Sequence, residues 1–516
     1  MRRSLMLVVA LMMLVGGVLA GCSGSSQTDS SASSDSGTSG EQTLTYANTT
    51  KVVGLSPIMT NDSVSARVIM QIYETLFTRD PDTMEIKPLL AKSYETPDKK
   101  TWVIHLKEGI QFTNGTELTS EDVKYTFDKL RDPDTGAPRA SLLASVKKVT
   151  AKDKYTVVIK TKEPYGPMLA ALAHYNASII SKEADQKNDL MKKPVGTGPY
   201  KLKEWVTGDH VTVTKNSNYW GEDPALKEAT FKVVPDVNTA ISMLQTGEVD
   251  LIDGIPSSQW QRVKSLQNVK TTKKPGTRVS YMAFNFNKDP MSQLKFRKAV
   301  SYAINRKSYV KQLNGLGVQS NSIIGPKVSG YDKSAEDAGY TYDPEKAKKM
   351  IEENGWKGLE LKMLVANREN YMKMAQIVQE QLEDAGLKVK LQSMEWGTFL
   401  DVSTQGKFDI TFLGWGNTTG DGSELLYPNL HSDNMESSNR ANYNNSEFDQ
   451  LVDASRFSVD QDVRQEKLDA ANKIAIKDAA WVVMNHAMVT AAYRDDVKGF
   501  KISPTADWLL KNIERE

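Results

Sequence analysis

One stretch, from Arg368 to Trp415, restricts the fold more than any other. Met374, Ile377, Val378, Leu382 and Ala385 repeat at helical spacing, and Gly386 follows where a left-handed residue ends a helix. Leu387, Val389 and Leu391 then alternate with Lys388, Lys390 and Gln392, which predicts a strand with one wet face. A second apolar strand, Phe408 to Leu413, runs into Gly414-Trp415-Gly416. Helices alternating with strands predict an α/β lobe. Ligands of such lobes sit beyond the carboxyl ends of the strands, so the loop after Leu413 is a candidate site. At 516 residues the chain exceeds what one core usually organises, and at least two lobes are expected. Elsewhere Thr119, with Glu121 and Asp122, predicts a helix start. Phe296, Ala299, Val300, Ala303 and Ile304 predict an amphipathic helix, and Asp343-Pro344 predicts a capped one.

The first forty residues are of a different kind. Arg2 and Arg3 precede an apolar run from Leu5 to Leu19, as in a secretory signal. Leu19-Ala20-Gly21-Cys22 follows, and Cys22 is the only cysteine of the chain. These four residues resemble the lipobox of bacterial lipoproteins, which implies lipidation of Cys22 and removal of residues 1–21. The alternative is a buried free cysteine beside a plain transmembrane anchor. The polar Ser/Gly-rich run that starts at once, Ser23 to Gly40, argues for a flexible tether instead. A folded part is expected from Gln42, where Leu44 and Tyr46 alternate with polar residues. With Cys22 committed to lipid, no internal disulfide is possible.

Composition and motifs narrow the function classes. Net charge is +1, and it falls to −1 once Arg2 and Arg3 leave with the signal, so nothing points to nucleic acid. No G-x-S-x-G, H-E-x-x-H or P-loop is present. Ser-x-x-Lys occurs at Ser145, Ser292 and Ser308 without the companion motifs, as chance allows in a lysine-rich chain. Gly196-Thr197-Gly198 runs into Pro199 rather than a helix-opening glycine, a weak phosphate signal. His105, His174, His210, His431 and His486 are scattered and read as structural or solvated. Asp132 and Asp134 lack the rest of a calcium loop. The expectation is a protein with no catalytic residues, metal or cofactor.

Several segments, in order, resemble the extracellular solute-binding proteins of peptide and nickel ABC transporters. They are Ser56-Pro57, Ile72-Tyr73-Glu74-Thr75-Leu76, Trp102 to Gly109, Asn114-Gly115-Thr116 and Thr119 to Val123. Val195-Gly196-Thr197-Gly198-Pro199-Tyr200, Asn218-Tyr219-Trp220-Gly221 and Gly247-Glu248-Val249-Asp250 come next. Arg297 to Val300, Tyr302 to Arg306 and Asn445 to Asp449 complete the set. The resemblance implies a type II periplasmic-binding-protein fold of the α/β class, with two lobes closing about a hinge. Lobe I is expected at 42–67, 194–286 and 491–516, an inserted subdomain at 68–193 and lobe II at 287–490. The crossings between lobes are expected near Tyr281–Phe286 and Val489–Ala492. The implied function is a monomeric, lipid-anchored receptor on the extracytoplasmic face of the cell membrane. It passes small peptides to ABC permease subunits. Glutathione, a nickel chelate, haem or an oligosaccharide is the alternative cargo. A lipoprotein hydrolase and a surface signalling or adhesion protein are the rivals from other classes.

The resemblance also assigns ligand contacts. Arg368 matches by local context the arginine that holds a peptide carboxylate, a role suited to a forked guanidinium; the alternative is a surface arginine near Glu369. In Trp415, Asn417, Thr418, Thr419 and Asp421, an ammonium-binding aspartate is implied three positions after the tryptophan, and this chain has Thr418 there. Asp421 either supplies that charge or caps a turn. Trp415 and Tyr427 stack on ligand or fill the lobe interface. Asn61, Asp62 and Ser63 reach the cleft from the other side or start a capped helix.

Overall fold

The computed structural model describes residues 42–435 and 437–516. Cys22, the signal and the tether lie outside the described residues. Among the described residues no helix is long and apolar enough to cross a membrane. Eleven strands form one mixed sheet. Its order is Lys388–Met394, Glu360–Ala366, Ile410–Gly416, Val269–Phe284, Trp481–Arg494, Leu251–Asp253, Thr43–Asn48, Glu228–Val233, His210–Lys215 and Tyr200–Val206. The short strand Gly317–Val318 pairs to the side of Trp481–Arg494.

Two long antiparallel strands, Val269–Phe284 and Trp481–Arg494, tie the halves of this sheet together. At one end Tyr281 to Phe284 pair with Ile410 to Leu413. At the other, Ala491 to Tyr493 pair with Leu251 to Asp253. The register between the long strands breaks between Pro275 and Val279. Proline removes a ladder donor there, and a Cβ on Gly276 would lie 2.9 Å from the Ala487 carbonyl oxygen.

Each half packs its own core. The larger core holds Val279 to Phe284 (Ser280 excepted), Met363 to Ala366, Met374, Val378, Leu382, Ile410 and Trp481 to Met484. The second holds Leu44, Tyr46, Phe231, Ala491 and Trp508. Of the expected first crossing, Tyr281 to Phe284 are built into the larger core and pair with Ile410 to Leu413. Met488, beside the expected return crossing at 489–492, stands opposite Pro275. A break between 67 and 68 would fall inside the helix Ser63–Ile72.

The segment between Thr43–Asn48 and Tyr200–Val206 builds a layer of its own. It has a four-stranded antiparallel sheet, in the order Ala91–Glu95, Thr101–Leu106, Thr156–Thr161, Val146–Asp153. The helix Ser120–Arg131 starts at a capping box, with Thr119 and Asp122 bonding each other's backbone. Trp102, Ile104, Phe127 and Ile159 share the second core with Leu44 and Phe231, so this insert is continuous with the smaller half of the sheet. The helix Glu369–Asp384, the left-handed Gly386 and the strand Lys388–Met394 follow the sequence pattern.

Candidate binding cleft

The strand Ile410–Gly416 delivers Trp415 to its carboxyl end, in register with Val279. The loop behind it is locked by its own polar groups. Asn417 Nδ2 donates to the Asp421 carbonyl (2.7 Å) and Thr419 Oγ1 donates to Asn417 Oδ1 (3.0 Å). Ser423 donates its backbone N–H (2.9 Å) and its hydroxyl (2.7 Å) to Asp421 Oδ1. The other Asp421 oxygen pairs with the buried Arg464 guanidinium. Asn417, Thr419 and Asp421 are buried, and Thr418 alone in this run stands exposed.

Thr418 borders three cavities, of about 550, 330 and 170 Å³. Trp415, Gly416 and Arg139 line the two larger ones. Arg139, from the insert, donates from Nη2 to Thr418 Oγ1 (3.3 Å). His174, also from the insert, lies 3.1 Å from the same oxygen through Nε2. Its Nδ1 accepts the Asn176 backbone N–H (3.2 Å), which assigns the ring proton to Nε2 and makes His174 a donor to Thr418. Burial, helped by Arg139 and Arg79, pushes the His174 pKa well down and keeps the ring neutral.

Charge is unevenly spread over the cleft. The 330 Å³ cavity is walled by Asn61, Asp62, Ser63 and Asp507. Asp62 Oδ1 caps the helix Ser63–Ile72 by accepting from Ser65 (2.8 Å), while its buried Oδ2 has no partner among the described residues. Burial pushes the Asp507 carboxyl up, against lowering by Thr505, Arg79 and Arg67. Arg67, on the same wall, is held by both oxygens of Asp253 (2.8 and 2.9 Å). The 550 Å³ cavity carries Arg139 and Arg456, the latter 3.5 Å over the Tyr427 ring. Its Glu424 accepts from the Tyr165 hydroxyl (3.2 Å). Burial, then the charge of Asp421, raises the Glu424 pKa.

The structure thus brings Asn61, Asp62 and Ser63 opposite Trp415 and Thr418 across one cavity, and gathers Trp415, Asn417, Thr418, Thr419 and Tyr427 around the other. Two expected residues stand apart. Arg368 is exposed at the start of the helix Glu369–Asp384, with its guanidinium 3.9 Å over the Trp396 ring, and lines none of the three cavities. Asp421 lines none either, because Arg464 and Ser423 take its carboxylate. Sequence reasoning missed Arg139, Glu424, Arg456 and Asp507. Arg139 lies 279 positions from Thr418, and no periodicity or motif joins residues at that distance. His174 reads as structural in the sequence, and it is both buried and a wall of the cleft.

A family model described as bacterial extracellular solute-binding proteins, family 5, middle, matches residues 85–437. The glutathione-binding protein GsiB of Salmonella paratyphi A is 30% identical over 464 residues, covering 87% of this chain and 90% of its own. The dipeptide-binding protein of Escherichia coli K12 is 27% identical, over 92% of this chain and 95% of its own. Among solved structures, the ABC transporter-associated periplasmic binding protein DppA from Helicobacter pylori, in complex with peptide STSA, superposes with a TM-score of 0.77. It is 26% identical and covers 92% of this chain and 98% of its own.

Proposed function

The chain belongs to the bacterial extracellular solute-binding proteins of family 5, and on that premise we propose that it is a lipid-anchored receptor that captures small peptides and hands them to a membrane permease. Its fold is the type II periplasmic-binding-protein fold, and its coarse role is that of a substrate-binding protein of an ABC importer for peptides or related ligands. One observation supports the capture mechanism most directly. Thr418, at the tip of one half, is bonded by Arg139 and His174 of the other, and cavities open on both sides of that contact. A ligand seated there touches both halves only when they are together, so binding draws the population towards the closed state. Turning a 1:99 mixture into 99:1 requires about 5.5 kcal/mol of preference for that state. No bond of the ligand has to break.

A second cargo, glutathione, is favoured by Thr418. A hydroxyl there cannot neutralise an α-ammonium, and glutathione presents its amine on a γ-linked arm. A 30% identical relative is named for glutathione binding.

Thermal unfolding of the full chain in detergent, with di- to pentapeptides, their amides, glutathione and nickel with free histidine, tests the reading. A ligand at 100 times its dissociation constant stabilises by about 2.7 kcal/mol. Free-acid peptides are expected to raise the midpoint. A rise with glutathione alone changes the cargo, and peptide turnover would replace the receptor by a hydrolase.

A further inference from the structure

The 550 Å³ cavity has a polarity that the receptor role does not require. Thr418 Oγ1 accepts from Arg139 Nη2 and from His174 Nε2. Both lone pairs of the hydroxyl are then engaged, and its own proton is left to donate into the cleft. Arg139 Nε is buried without a partner among the described residues, and so is Arg456 Nε. Both arginines line the cavity, so each can offer its guanidinium to an acceptor within it. Tyr427 stacks against the Arg456 guanidinium and fixes its place in the cavity wall.

The other charges on this wall do not cancel the two guanidiniums. Glu163 is paired with Lys100 (2.6 Å). Lys162 donates to the Ala144 carbonyl (3.0 Å) and adds positive charge. Asp421 faces away, towards Arg464. Among the described lining residues Glu424 is the acid left facing the space. Burial and then Asp421 raise its pKa, while Arg456 and Arg139 work the other way, so it offsets the guanidiniums only in part.

Resting on the peptide-receptor reading, we propose that this cavity selects ligands carrying two carboxylates, one held by Arg139 with the Thr418 hydroxyl and the other by Arg456. Arginine suits both places because its planar fork matches a carboxylate. The preferred cargo is a short peptide with an acidic side chain, or a γ-linked peptide with two free carboxylates, over a neutral peptide of equal length.

Isothermal titration of the full chain in detergent with Ala-Glu, Ala-Gln and glutathione tests this. Ala-Glu and Ala-Gln differ only in the second carboxylate. Ala-Glu is expected to bind at least about tenfold more tightly, a factor typical of one charge-assisted contact. Arg139→Gln, Arg456→Gln and Thr418→Val are each expected to lower Ala-Glu affinity by about tenfold or more. Thr418 is exposed, so Thr418→Val keeps the test valid if an arginine variant fails to fold, which circular dichroism would reveal. Equal affinity for Ala-Glu and Ala-Gln, or full Ala-Glu affinity in Thr418→Val and Arg139→Gln, overturns the proposal and leaves the receptor standing. Failure of all three probes to bind, together with no midpoint shift from any longer peptide, overturns the peptide reading and this proposal with it.

Discussion

Asp421 and Arg368 both carry the right charge for a peptide terminus, and the structure employs both elsewhere. Asp421 is buried, and a buried carboxylate must find a cation or lose its charge. Arg464, equally buried, supplies it. Sequence showed an aspartate between two glycines and so the possibility of a turn; it could not show an arginine 43 positions on. Arg368 is the opposite case. Its local context, a strand giving way to a helix, was legible and is present, yet the side chain lies over Trp396. An exposed cation–π contact contributes about 0.5–1 kcal/mol. Arg368→Ala is therefore expected to lower stability by no more than about that amount and to leave ligand affinity within about twofold. Titration of the variant with the tightest ligand from the panel checks it, and a tenfold loss would return the anchoring role to Arg368.

At the scale of elements, three sequence motifs turn out to be parts of one junction. Glu74, just after the helix Ser63–Ile72, accepts from Thr197 Oγ1 (3.0 Å), Tyr219 Oη (2.8 Å) and Trp220 Nε1 (2.7 Å). The Ile72–Leu76, Val195–Tyr200 and Asn218–Gly221 segments thus meet on a single carboxylate. Three donors offset much of what burial costs it, although its pKa stays raised. The two glycines have a steric reason rather than a phosphate to cradle. A Cβ on Gly196 would fall 2.1 Å from the Ile72 carbonyl oxygen, and one on Gly198 would fall 2.6 Å from that of Gln71. Helix and strand periodicities were readable because burial on one face imposes them locally. This junction was not, because nothing local says that Thr197, Tyr219 and Trp220 share Glu74 as a partner. Gly196→Ala drives a methyl into backbone that cannot yield. It is expected to cost about 1–3 kcal/mol, as overpacking does, measured as a lower midpoint in urea at unchanged slope.

For the whole molecule, the question is what holds the halves together besides ligand. The tip of the insert's hairpin Phe77–Arg79/Ile86–Pro88 is held on its own half by two lysines and is met by one from the other half. Lys274, on the first long strand, donates to the Pro81 carbonyl (3.2 Å) and pairs with Asp82 (2.8 Å). Lys501, between Phe500 and Ile502 of the second core, pairs with the same carboxylate (3.2 Å), whereas Lys327, next to Val328 of the larger core, reaches over from the other half and donates to the Asp82 carbonyl (3.2 Å). Hydrogen bonds from Lys274 and then Lys501 hold the Asp82 carboxyl below its usual range, which favours its charged form. Both partners of the exposed pair with Lys501 face solvent, which limits such contacts to about 0–1 kcal/mol and exposes them to screening. Even so, about 1 kcal/mol shifts a two-state population roughly fivefold. That is small against the 5.5 kcal/mol of a full switch, as a device that must still release its cargo requires. Lys327→Ala is expected to weaken ligand binding by about two- to fivefold, mainly through faster dissociation. Raising NaCl should weaken the wild-type protein by a similar factor and leave the variant nearly unmoved, because salt and mutation remove the same interaction. Stopped-flow dissociation at low and high salt measures both effects at once. A variant with the same salt response as wild type would mean that the hairpin tip rests against the opposite half without holding it.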